Sequence, residues 1–307
     1  MDDLRIFAFA DEASGMIDGQ IAAMKRNGLN GLEIRGVDGQ NISEISEQKA
    51  KEVRKKMDDA GLVVWSMGSP IGKTEIDSQD FDAHLDALRH TLALADILGA
   101  ENVRMFSFFV PKGEAEKYRT QVIDRMGQMV RVAEGSGKKL CHENEKGIYG
   151  DNAARCAELL STFPELDGVF DPANFIQCDQ ETWEAWGMLK NRIKYLHIKD
   201  ALADGMVVPA GKGLGHVKAI LDDFRAMGGK NVTVEPHLTV FDGLKALERE
   251  GQKTLIDASA PKYADYEDAV SFLSAAAAGC DAIITRNPRD YSASTVRAMT
   301  PAEFLAL

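Results

Sequence analysis

No stretch of this sequence reaches the roughly 18 consecutive apolar residues that a membrane-spanning helix needs, so no membrane span or membrane partner is expected. The start, Met1-Asp2-Asp3, leads into a short apolar run only; it lacks the basic opening and long apolar core of a secretory signal, and a soluble, cytoplasmic protein is expected. Cysteine is scarce and scattered. Cys141, Cys156, Cys178 and Cys280 form no Cys-x-x-Cys pair, which argues against a zinc knuckle or redox dithiol and for reduced, packed thiols. Positive charge is also in deficit, with 36 Lys and Arg against 48 Asp and Glu and a net charge of -12. An acidic surface repels phosphate backbones, so no nucleic-acid partner is expected. Only 9 prolines, with 45% hydrophobic and 27% charged residues over 307 positions, exclude a disordered or fibrous chain.

What is present is alternation. Short β-rich runs are read at Leu4 to Ala10, Gly31 to Arg35, Leu62 to Met67, Asn102 to Phe106, Lys139 to Glu143, Gly168 to Asp171, Ile193 to Lys199 and Asn231 to Glu235. Between them, apolar residues recur at helical spacing over Ile17 to Asn27, Ser43 to Ala60, Phe81 to Leu98, Glu114 to Glu134, Asn152 to Ser161, Gln180 to Lys190 and Val217 to Met227. Gly28, Gly61, Gly99, Gly135 and Gly228 follow their helices as left-handed stop residues would. Eight strands alternating with helices predict an α/β fold, a (β/α)8 TIM barrel, and the length suits one barrel of about 250 residues plus an addition. An open, doubly wound sheet would show a glycine-rich turn after its first strand, where this chain has Phe9-Ala10-Asp11-Glu12-Ala13.

A barrel keeps its active site at the C-terminal ends of its strands. Glu143, Asp171, His197 and Glu235 fall at or near the ends of runs five to eight, and neighbouring strands are about 5 Å apart, so inward-turned side chains there converge. Three carboxylates and an imidazole suit a divalent metal with a preference for oxygen: Mn²⁺ first, with Mg²⁺, Co²⁺ or Zn²⁺ as alternatives. Each of the four, taken alone, is equally readable as a capping, paired or packed residue.

The strings Leu140-Cys141-His142-Glu143-Asn144-Glu145, Phe170-Asp171-Pro172-Ala173-Asn174, His197-Ile198-Lys199-Asp200 and Val234-Glu235-Pro236-His237 resemble the successive motifs of the xylose-isomerase-like barrel superfamily, of the sugar phosphate isomerase/epimerase type. The likeness runs from about Leu4 to about Lys253. It implies a metal held by Glu143, Asp171, His197 and Glu235, with Glu143 and Glu235 also exchanging protons with substrate. The implied activity is a metal-dependent isomerase or epimerase of a small sugar, sugar acid or sugar phosphate, working through a metal-stabilised enediolate. An inosose-type dehydratase and a non-catalytic sugar-binding barrel are the alternatives, and assembly into a homo-oligomer is left open. Asn174 departs from the epimerase pattern, which often has His there, so a substrate-positioning hydrogen bond is expected to differ. Further substrate-binding candidates are Glu33 and Arg35, which either face the pocket or pair with each other, and Lys199, Asp200, Lys212 and His237 on the upper loops. Gly211-Lys212-Gly213-Leu214-Gly215 looks like a phosphate cradle but lacks the dinucleotide-binding context, and reads better as a substrate loop.

The barrel is assigned to residues 1–256. From 257 to 307 a short C-terminal α/β appendage is expected. Its Glu267-Asp268-Ala269 and Thr285-Arg286-Asn287-Pro288-Arg289-Asp290-Tyr291 strings resemble the end of a PIN domain, and its first helix, Tyr266 to Ala278, is available to close the barrel. The early acidic residues of a PIN nuclease have no counterpart here, so no nuclease activity is expected of it.

Overall fold

The computed structural model describes residues 4–237, together with 282–284, 297–299 and 303. Eight strands, β1 (Arg5–Ala8), β2 (Gly31–Ile34), β3 (Val63–Met67), β4 (Asn102–Met105), β5 (Lys139–Glu143), β6 (Asp167–Phe170), β7 (Ile193–Ile198) and β8 (Asn231–Val234), close into one barrel. Each lies parallel to the next, and β8 returns to β1 with Thr233 opposite Phe7. This is the TIM barrel expected from the alternation.

Helices α1 (Ile17–Asn27), α2 (Glu47–Asp59), α3 (Phe81–Leu98), α4 (Ala115–Ala133), α5 (Ala153–Thr162), α6 (Pro172–Ile176), α7 (Thr182–Leu189) and α8 (Val217–Ala226) stand among the described residues. Their starts have local causes. Ser46, Asp80 and Asn152 each accept a backbone N–H three residues on, satisfying one of the donors a helix start leaves unpaired. Because Ser46 is that cap, α2 begins four residues later than the helix read from Ser43, and Ile42–Glu44 forms a separate 3₁₀ turn. Gly28 and Gly99 end α1 and α3 at φ of 65° and 72°, a conformation that costs glycine nothing. No described helix is long and apolar enough to cross a membrane.

Two layers fill the barrel's interior. Phe7, Trp65, Cys141, Val169 and Tyr195 form an apolar cluster separate from the main core, and Trp65 meets Tyr195 from the opposite wall at 6.1 Å between ring centres. Side chains two residues apart on a strand share a face. Two residues beyond Cys141, Val169 and Tyr195 stand Glu143, Asp171 and His197, so the apolar layer is the floor on which a polar layer rests.

The chain divides into two compact units, Met1–Leu238 and Thr239–Leu307. In the second, Ala282–Ile284 pairs in parallel with Arg297–Met299. The helix expected over residues 266–278 lies outside the described residues.

Candidate metal centre

Glu143 is the last residue of β5, Asp171 follows β6 and caps α6, His197 is the penultimate residue of β7, and Glu235 follows β8. All four are buried, and each offers an atom within 4.8 Å of the others'. The imidazole is the hub. His197 Nδ1 lies 2.9 Å from Glu143 Oε1, 3.3 Å from Glu235 Oε2 and 3.8 Å from Asp171 Oδ2. On its other edge, Nε2 faces Glu33 Oε2 at 3.0 Å. That arrangement lets Glu33 hold the Nε2 proton and present Nδ1 to the three acids, the way a carboxylate orients a metal-binding histidine. Burial alone would lower the His197 pKa, but the Glu143 and Glu33 carboxylates more than reverse this and hold it well above the ordinary value. Burial likewise works against the ionised Glu33, whose pKa is nonetheless lowered by His197 and Arg104.

The outer oxygens of the two glutamates are held by arginines. Arg104 Nη1 lies 3.1 Å from Glu143 Oε2, with its guanidinium between the rings of Phe9 and Phe106. Arg35 Nη1 lies 3.0 Å from Glu235 Oε1, and its Nε and Nη2 donate to the two oxygens of Asp11. Arg35 also stacks on Phe9, so one ring supports both arginines. Gly68 makes that contact possible, since a Cβ there would lie 2.5 Å from the Phe9 ring and 3.1 Å from Arg35 Cβ.

Asp171 is fixed through its backbone and side chain alike. Asn144 exchanges two 2.9 Å bonds with the Asp171 main chain, and Asp171 Oδ1 accepts the Asn174 N–H. Asn174 Nδ2 donates to the Asn144 carbonyl at 2.9 Å and to Glu143 Oε1 at 3.4 Å, beside the centre. Lys199 Nζ lies 2.8 Å from Asp171 Oδ2 and 3.4 Å from Glu235 Oε2. His237 Nε2 lies 3.0 Å from Glu235 Oε1, and its N–H donates to Glu12.

These four residues fit a divalent ion. Glu143 Oε2 and Asp171 Oδ2 are buried with no hydrogen-bond partner; Arg104 and Lys199 stand within ion-pairing distance of them but not in bonding geometry. Buried acceptors with unspent capacity mark places where a cation or a donor is expected. Glu12, Glu235 and His237 form a second group within ligand reach, but Arg35 already stands among them, 3.5 Å from Glu12 Oε1 and 3.4 Å from His237 Nε2. We therefore assign that group to the arginine.

Several expectations need correction. Glu33 and Arg35 both turn inward, but Glu33 pairs with His197, Tyr195 and Ser66, and Arg35 with Asp11, Glu12 and Glu235, not with each other. Asp200 has nothing to offer a substrate. Its carboxylate is fully buried and accepts the backbone N–H groups of Ala201, Gly211, Gly213 and Gly215. The glycine loop that resembled a phosphate cradle thus wraps an anion of its own. Lys212 is exposed on that loop. Arg104, Asn144, Tyr195 and Glu12 belong to the centre and were not anticipated; an arginine between Val103 and Met105 in a barrel strand was the available signal.

Residues 21–257 match the family model described as xylose isomerase-like TIM barrel. The chain belongs to this family. Among solved structures, this xylose isomerase-like barrel is similar to the probable 3-DHS dehydratase AsbF of Bacillus anthracis (15% identity, TM-score 0.62, covering 76% of this chain and 92% of that one). It is also similar to the 3-keto-D-glucoside 4-epimerase YcjR of E. coli (15% identity, TM-score 0.60, 88% and 99%). A third is the IOLI protein with a bound zinc atom (16% identity, TM-score 0.60, 76% and 88%). At such identities the likeness is one of fold. No curated protein matches the sequence. The family match ends at residue 257, and none of these comparisons supports the PIN-like reading of the tail.

Proposed function

We propose that this barrel is a divalent-metal-dependent isomerase or epimerase of a small sugar, sugar acid or sugar phosphate. The observation that carries the reading is the convergence of three buried carboxylates on His197 Nδ1, with Asp171 Oδ2 left without a hydrogen-bond partner. Glu143, Asp171, His197 and Glu235 would hold the ion. Mn²⁺ suits this oxygen-rich set best, with Mg²⁺, Co²⁺ or Zn²⁺ as alternatives, the last being the ion seen with the IOLI protein. When bound, the ion supplies a Lewis acid for the substrate's carbonyl and adjacent hydroxyl oxygens.

Proton transfer falls to the chain. Glu143 and Glu235 stand three strands apart, with Asp171 and His197 between them, and so approach a bound sugar from different sides. One takes the proton from the carbon next to the carbonyl, and the other returns a proton to the opposite face or to the neighbouring carbon. Arg104 and Arg35 restrain the outer oxygen of each, which fixes the carboxylate planes. Lys199, Asn174 and His237 line the same centre and are assigned to the substrate's oxygens.

A dehydratase is the second reading. Expelling a hydroxyl requires a proton donor. Burial and the nearby Glu235 charge push the Glu12 pKa up from 4.5 to about 7, so this carboxyl is about half protonated at neutrality.

Ketoses, ketose phosphates and inososes supplied with Mn²⁺ in D₂O separate the two. Deuterium at the α-carbon without loss of water supports isomerisation or epimerisation, and loss of water supports dehydration. With Mn²⁺ in excess, Glu235→Gln is expected to lower turnover by roughly 10²–10⁴-fold while leaving the fold and most substrate binding intact; undiminished turnover removes Glu235 from the mechanism.

A further inference from the structure

The candidate ligands already share a cation, and the chain supplies it. Lys199 stands two residues beyond His197, and its ammonium contacts Asp171 Oδ2 at 2.8 Å and Glu235 Oε2 at 3.4 Å. Those same two oxygens are the ones turned toward His197 Nδ1. Arg35 and Arg104 differ in this respect, because they hold the outer oxygens of Glu235 and Glu143. An ammonium is a compact charge on a flexible stem, able to change partners by rotating a few bonds, whereas a guanidinium stacked on aromatic rings is not.

We propose that Lys199 is an internal counter-ion which a divalent metal must displace from Asp171 and Glu235, and that this competition makes the centre select doubly charged ions. The inference rests on the metal-centre reading given under Proposed function. A univalent ion brings the two carboxylates no more charge than the ammonium it replaces, so it gains little. A divalent ion brings a second charge to oxygens in a buried site, where each charge counts for more than in water. Removing the ammonium removes both the competitor and its repulsion, so it should tighten metal binding, whereas loss of a true ligand should weaken it.

The test is Mn²⁺ binding to the full chain, measured by titration calorimetry and by the electron paramagnetic resonance of free Mn²⁺. Lys199→Met and Lys199→Gln are expected to bind Mn²⁺ about tenfold or more tighter than wild type, and Glu235→Gln to bind it more weakly. Excess K⁺ should weaken Mn²⁺ binding by Lys199→Met and leave wild type unchanged. With a chelator both Lys199 variants should melt at a lower temperature than wild type, having lost the counter-ion, and added Mn²⁺ should close the gap. Equal or weaker Mn²⁺ binding by the Lys199 variants overturns the inference. So does failure of both to fold with Mn²⁺ present, because the metal is held to replace the ammonium. If wild type binds no Mn²⁺, the metal-centre reading falls and takes this one with it. Tighter binding by Lys199→Met, with no turnover of any sugar by wild type, supports displacement and removes only the proposed activity.

Discussion

Single side chains in this centre serve by what they withhold from one another. Glu143 and Glu235 each keep one oxygen toward His197 and give the other to an arginine, so their orientation is fixed before any ligand arrives. Glu12 has Arg35, the arginine that holds Glu235, only at 3.5 Å. Its Oε1 is buried without a hydrogen-bond partner, and desolvation together with the Glu235 charge outweighs the help from Arg35. Its pKa of about 7 lies above the 4.5 of the unfolded chain, so any stability it contributes is present below 4.5 and is lost as pH rises to about 7. A shift of that size corresponds to about 3 kcal/mol at most. Glu12→Gln keeps an acceptor for the His237 N–H and removes the ionisation. In chelator-containing buffer, denaturant melts should show it more stable than wild type by about 1–3 kcal/mol above pH 7 and equal to it below pH 4.5. An equal difference at both pH values contradicts this account of Glu12.

Elements explain why the site stands where it does, and here much was legible in the sequence. The eight strands and the glycine-stopped helices are found within a few residues of where alternation and helical spacing put them, because each side chain's burial face repeats along its own segment. The ends of strands five to eight follow from that count, and so do Glu143, Asp171, His197 and Glu235. What escaped depends on neighbours distant in sequence. Strand alternation turns both Glu33 and Arg35 inward, but which acid meets which base is decided across strands by register, where a single run carries no signal. The five-residue α6 is too short to show a period; only Asp171 before Pro172 hinted at it, as a cap followed by proline in the first turn. Asp200 was misread for the same reason. As a loop acid it looked available, and only the folded chain shows four amides from a loop ending fifteen residues later closing on it. Asp200→Asn replaces an acceptor-only carboxylate with an amide that has a single acceptor oxygen, so about half of those bonds should be lost. Hydrogen exchange at Gly211, Gly213 and Gly215 should then quicken while the barrel strands keep their protection; unchanged exchange at these glycines would mean that Asp200 does not hold the loop.

For the molecule as a whole, the division of labour is between the apolar floor inside the barrel and the charged layer above it. The floor seals the cluster from below, and buried charges persist there because nearly every acid has a basic neighbour: Arg104 for Glu143, Lys199 for Asp171, Arg35 for Glu235, Lys73 for Glu145. Burial by itself would raise the Glu145 pKa, but Lys73 and Lys199 bring it down to about 2, so this acid stays ionised at the centre's edge. On the proposed reading, such a balanced cluster accepts a divalent ion by exchanging partners, without a change of fold. The decisive measurement is anomalous diffraction at the manganese edge from crystals of the full chain soaked in Mn²⁺. One ion is predicted within about 2.0–2.6 Å of Glu143, Asp171, Glu235 and His197 Nδ1 together. A crystal in which those four side chains keep only one another and their basic neighbours, with manganese bound elsewhere or nowhere, would contradict the account.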